Sequence, residues 1–176
     1  MVTAIEVILI CLVAQAAVTD LVMRRIPNIL VLSGLALSMI LHLLGGQHWA
    51  PASQWLAGIL TGISLFLPLY LLRGMAAGDV KLMAMVGAFM GPEAALQIGA
   101  LAYVIGGAMG LLMLICSGRW RESWANIVLI CKPLLWRLVG MPLVPIPRQA
   151  INSVGGIPYG VAIALGTVGF VAWAHR

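Results

Sequence analysis

Long apolar runs separated by short polar or charged stretches dominate the pattern along this chain. A helix needs about 20 apolar residues to cross about 30 Å of hydrocarbon. Six runs predict such helices: Ala4 to Met23, Ile29 to Leu44, Trp55 to Leu72, Val80 to Met90, Ala94 to Cys116 and Ile157 to Ala174. The fourth is short. About 11 residues rising 1.5 Å each cover only about 17 Å, so this segment either dips in and returns or lengthens by taking in Ala76 to Asp79. The one sizeable stretch outside the spans is 117–156. Within it, Trp120 to Leu138 mixes Trp, Leu and Ile with Arg121, Glu122, Lys132 and Arg137, a composition suited to a helix lying in the inner interface. A seventh span there would carry Lys132-Pro133 in its middle. No internal repeat is visible. The pattern predicts an all-α polytopic membrane protein, one embedded domain over residues 1–176.

Composition reinforces the pattern. Of the 176 residues, 62% are hydrophobic and 9% charged, and the mean hydropathy is +1.09. A soluble domain carries about 25% charged residues, so this chain cannot clothe a globule in polar surface, and its solvent is lipid. Disorder and a secreted disulfide scaffold are both excluded, the first by hydrophobicity and the second by scarce cysteine. Cys11, Cys116 and Cys131 are far apart and lack a paired spacing, which points to small buried hydrophobes rather than a zinc or redox site.

Charge decides the direction of threading, because cytoplasmic loops are enriched in Lys and Arg. With six crossings and the N-terminus outside, the inner loops hold Arg24, Arg25, Arg73, Lys81, Arg119, Arg121, Lys132, Arg137 and Arg148, leaving only Arg176 outside. A re-entrant fourth segment would spoil this asymmetry, so six crossings are expected. Trp49, Trp55 and Trp173 then fall near the outer boundary and Trp120, Trp124 and Trp136 in the inner loop, as interfacial anchors do. The net charge of +5 is dispersed over loops without a stacking surface, so no nucleic-acid partner is expected. Ala14-Gln15-Ala16 has the look of a signal-peptide cleavage site, but no Lys or Arg precedes it, so the first span is expected to stay.

Five acidic residues are present. Glu6, Glu93 and Glu122 sit at ends or in loops and have ordinary solvated explanations. Asp20 and Asp79 do not, for each lies within a span near its inner end, where an ionisable group is expensive and is a functional candidate by default. The threading sets both at similar depth on the same side of the membrane. Two neighbouring carboxyls in a partly desolvated site share a proton, one serving as base toward water and the other as acid toward a carbonyl, as in aspartic proteases. The bland alternative has Asp20 pairing with Arg24 one turn on and Asp79 merely capping the fourth helix.

Three motifs in register carry a resemblance. The run Asp20-Leu21-Val22-Met23-Arg24-Arg25-Ile26-Pro27-Asn28, the run Gly78-Asp79-Val80-Lys81-Leu82 followed by Gly87-Ala88-Phe89-Met90-Gly91, and the late Ile157-Pro158-Tyr159-Gly160 together resemble the type IV prepilin peptidases, membrane aspartyl proteases. The length is similar to the short peptidases of tight-adherence (Flp) pilus systems. The resemblance implies Asp20 and Asp79 as the catalytic pair, with Gly78 and Lys81 in the supporting motif and a prepilin or pseudopilin as substrate at the cytoplasmic face of the bacterial inner membrane. The family's Gly-x-Gly-Asp reads Ala76-Ala77-Gly78-Asp79 here. Alanine permits close backbone approach but not easy positive φ, and we read it as a tolerated variant. Nothing matches the cysteine-rich insert of longer relatives, so methyltransferase activity is not implied. No metal or cofactor is expected.

Other residues carry two readings each. Gly74 and Gly78 have a small-xxx-small spacing, as do Gly58/Gly62, Gly87/Gly91 and Gly106/Gly110, for which generic packing is the plainer account. Lys81 either tunes Asp79 and contacts acidic groups or serves as an inner anchor. Tyr159 reads first as an interfacial anchor and second as a wall of a substrate path. His42, His48 and His175 lack ligand spacing. Two rival functions remain: a small proton-coupled transporter, which would place binding groups nearer the midplane, and a non-catalytic pilus-assembly subunit that keeps the fold.

Overall fold

The computed structural model describes residues 3–44, 52–72, 74–118 and 158–176. Five helices make up the described chain: α1 (Ala4–Met23), α2 (Asn28–Leu44), α3 (Ala52–Leu71), α4 (Ala77–Ser117) and α5 (Tyr159–Ala174). No strand occurs among the described residues. α1, α3 and α4 are long and apolar enough to cross a membrane, while α2 and α5 are apolar but shorter, at 17 and 16 residues. Over the described residues the six apolar runs read from the sequence fall in these helices, save Leu72 and Pro158 at their ends. The interfacial helix expected within 117–156 lies outside the described residues, as do Trp49, Trp120, Trp124, Trp136 and Arg73.

Local chemistry explains the helix ends. α1 opens with a capping box: the Thr3 amide donates to the Glu6 carboxylate at 2.7 Å, and the Glu6 amide donates to the Thr3 hydroxyl at 3.4 Å. It closes at Arg24, which takes the left-handed conformation with φ 54° and donates its amide to the Asp20 carbonyl at 2.9 Å. The chain turns through Pro27, whose carbonyl accepts from the amide of Leu30 as α2 begins.

The fourth and fifth runs share α4, broken at Gly91 with φ 79° and ψ 175°. Only glycine enters that region freely, and Pro92 then starts the next limb without an amide to satisfy. Residues 77–90 and 92–107 fold back on each other, since a Cβ at Gly99 would lie 3.6 Å from Met83 Cε across the break. The short fourth run thus lengthens from Ala77, and its limb rises about 20 Å.

That limb is the centre of the packing. Leu82 to Phe89 are all buried, so the helix is apolar on every side because it is enclosed on every side. α3 crosses it backbone to backbone at Gly58 and Gly87, and again at Gly62 and Met83, while Met85 fills the space over Gly34 of α2. α1 packs along α5. These two run antiparallel: Glu6 meets His175 at one end, at 2.9 Å, and Asp20 meets Gly160 at the other. Trp55 donates its indole N–H to Ser38 Oγ at 3.0 Å, tying α3 to α2. Outward, Val22, Leu32, Leu60 and Val104 are exposed, an apolar exterior suited to lipid rather than water.

Two compact units divide the chain, Met1–Gly107 with Ile157–Arg176 and Ala108–Gly156. All the packing above belongs to the first. The described part of the second is 108–118, helical through Ser117.

Candidate active site

Asp20 lies in the last turn of α1 and Asp79 in the first turn of α4, and both are buried, at 8% and 4% exposure. Their carboxyls are close enough for the charge of Asp20 to act on Asp79. Two helix termini distant in sequence thus come to one end of the helical unit, where α2, α4 and α5 all begin.

Each carboxylate is held by a helix N-terminus. Asp79 Oδ2 accepts the amide of Ala76 at 3.2 Å, so the third residue of α4 reaches back to the residue that precedes the helix. Asp20 Oδ2 accepts the amide of Gly160, in the first turn of α5, at 2.9 Å. α5 follows Pro158, whose side chain offers no capping oxygen, and Asp20 supplies that oxygen from another helix. The first-turn amides of α4 and α5 place partial positive charge beside the two acids. Among the described residues no hydrogen bond is made by Oδ1 of either aspartate. The bond to the start of α4 that the bland alternative gave Asp79 is therefore present, and it leaves one of the carboxylate oxygens available.

The remaining motif residues have defined places. Gly78 is approached by Ile26 from the α1–α2 turn, and a Cβ there would lie 3.2 Å from Ile26 Cβ. Ala76 does not have positive φ, since Arg24 is the one non-glycine described residue that does. The alanine that departs from the family motif therefore meets no conformational demand for glycine. Lys81 is exposed and donates to Asn28 Oδ1 at 3.0 Å, at the start of α2. Residues two apart on a helix do not face each other, which turns Lys81 away from Asp79. Gly74 lies in the bend before α4, outside any helix, so it does not form the small-residue helix contact expected of it; Gly58, Gly62 and Gly87 do.

Tyr159 corrects the expectation of an interfacial anchor. It is buried, at 9% exposure, because its ring fills the space left by Gly106, where a Cβ would lie 2.6 Å from Tyr159 Cε1. It is near enough to Asp79 and Tyr103 to interact electrostatically with both. Tyr103 in turn stacks on Phe66 with centroids 4.9 Å apart and donates its hydroxyl to the Leu65 carbonyl. The roles of Gly160 and Asn28 went unread in the sequence. For Gly160 a signal existed, since a helix opening on proline must find its capping acceptor elsewhere. Among the described residues no group of three or more His, Cys, Asp or Glu gathers as a metal site.

The profile of the type IV leader peptidase family matches residues 7–111, more than half of the chain. The chain belongs to the type IV leader peptidase family. No curated protein and no solved structure gives a match. The matched region contains Asp20, Gly78, Asp79 and Lys81, and it stops short of Tyr159 and Gly160. Membership, together with the apolar helices, makes it a membrane protein of a protease family.

Proposed function

We propose that this member of the family is a membrane aspartyl endopeptidase that removes the short basic leader from type IV prepilin or Flp-type pilin and pseudopilin precursors. The observation that carries the proposal is the burial of Asp20 and Asp79 at one end of the helical unit, near enough for the charge of one to act on the other. The charge pattern supports a reading with six crossings, the N-terminus outside and that end at the cytoplasmic face of the inner membrane. A precursor anchored in the same bilayer by its hydrophobic helix presents the scissile bond at a fixed depth, and the search becomes lateral.

The chemistry follows from a pair that holds one proton between two carboxyls. The ionised carboxylate takes a proton from water as the water oxygen bonds to the scissile carbonyl carbon, while the protonated partner gives its proton to the carbonyl oxygen. Collapse of the resulting gem-diol breaks the C–N bond and sends a proton to the departing amine, restoring the pair. The pair titrates as a unit, so neither residue alone is the acid or the base. The amides of Ala76 and Gly160 fix one oxygen of each acid, which leaves the other to meet water and substrate.

The test is leader removal from a co-expressed precursor pilin by Asp20→Asn and Asp79→Asn, each nearly isosteric. Both variants are expected in the membrane fraction at normal levels and without processing activity. Normal processing by either one rejects the proposal, and solute uptake without cleavage would favour a transporter.

A further inference from the structure

We propose that Gly160 is a positioning residue for Asp20, acting through its amide and through its lack of a side chain. The inference rests on the peptidase reading and extends it to a segment beyond the matched region. Two observations support it. The Gly160 amide donates to Asp20 Oδ2 at 2.9 Å, in a bond that is buried. A Cβ built at Gly160 would lie 2.9 Å from that same oxygen, 3.0 Å from Asp20 Cβ and 3.2 Å from Asp20 Cγ. The three nearest atoms all belong to the one aspartate.

The consequence of adding bulk is therefore specific. Something must yield at these distances: the carboxylate can turn away, while Asp20 Cβ, fixed to α1, asks for a small shift between the helices. Helix α5 need move on α1 by only a few tenths of an ångström, while the Asp20 carboxylate swings off its donor. Contrast Gly166 in the same helix, where an added Cβ meets backbone atoms of Ile98 and Ala102, so that helix position would have to give. The start of α5 is thus built as a rest for Asp20: Pro158 supplies no cap of its own, Tyr159 is locked over Gly106, and Gly160 offers an amide with nothing in front of it.

Gly160→Ala, purified in lipid nanodiscs and assayed on a precursor with a basic leader ending in glycine before an apolar helix, is expected to lose kcat with KM unchanged. A displacement on the order of 1 Å costs about 100-fold, and loss from kcat alone marks a group that acts in the transition state. Gly169→Ala, where an added Cβ meets nothing within 4 Å, is the control and keeps wild-type kinetics. Wild-type kcat in Gly160→Ala overturns the inference, and so does a raised KM with kcat intact, which would assign position 160 to substrate binding. If Gly160→Ala does not fold, a glycolate at position 160, introduced by cell-free synthesis, replaces the amide N–H by an ester oxygen without bulk. Reduced kcat in that variant supports the inference and unchanged kcat overturns it. The two readings fail separately: Asp20→Asn that still cleaves sinks the peptidase, whereas inactive Asp20→Asn beside fully active Gly160→Ala sinks only the positioning role.

Discussion

Asp20 Oδ2 accepts the Gly160 amide at 2.9 Å across a separation of 140 residues, so one carboxylate both closes the start of α5 and lies near enough to Asp79 for its charge to act there. These two tasks depend on different properties of the side chain. The cap needs an acceptor oxygen, which asparagine retains, while proton transfer needs a carboxyl, which it lacks.

Asp20→Asn and Asp20→Ala should consequently part company in stability while agreeing in activity. Removing the acceptor leaves a buried first-turn amide unpaired, at about 1–2 kcal/mol, so Asp20→Ala is expected to unfold at lower temperature in detergent than Asp20→Asn. Both should be inactive, down by about 1000-fold or more. Equal melting temperatures for the two variants would show that the cap contributes nothing.

The crossing of α3 over the first limb of α4 should be intolerant of side chains. Gly58 and Gly87 approach so closely that a Cβ on either falls on the other's carbonyl. Gly87→Ala must push the helices apart, with a cost of about 1–3 kcal/mol from overpacking. Because that limb carries Asp79, leader removal should fall as well. Thermal unfolding checks the first effect, against Gly169→Ala as a neutral helix substitution.

Restoring the family's glycine at position 76 should gain little. Ala76 is exposed and does not adopt positive φ, so Ala76→Gly is expected to leave the processing rate within about twofold, as for surface changes worth roughly 0.5 kcal/mol. A tenfold acceleration in the same assay would show that the loop before Asp79 is held back by the methyl group.

Lys81→Gln should be nearly silent in stability. Its bond to Asn28 is exposed, and such contacts contribute about 0–1 kcal/mol. If the basic group serves as an inner anchor, cleavage should persist and only the topology signal should weaken, as read by cysteine accessibility from either side of the membrane. A large loss of kcat with normal insertion would instead place Lys81 in the chemistry.

The helices and their solvent were legible in the order of residues, because lipid burial demands long local runs of apolar side chains and each run can be recognised without its neighbours. The two out-of-place acids were legible for the same reason: a carboxyl inside such a run is conspicuous. What only the tertiary structure decided is which partners those runs select. That Gly160 rests against Asp20, that Tyr159 is buried over Gly106 and that Lys81 reaches Asn28 depend on helices approaching at glycines. Such approaches join residues far apart in sequence, and a missing side chain leaves no local mark to say which backbone will come to fill its place.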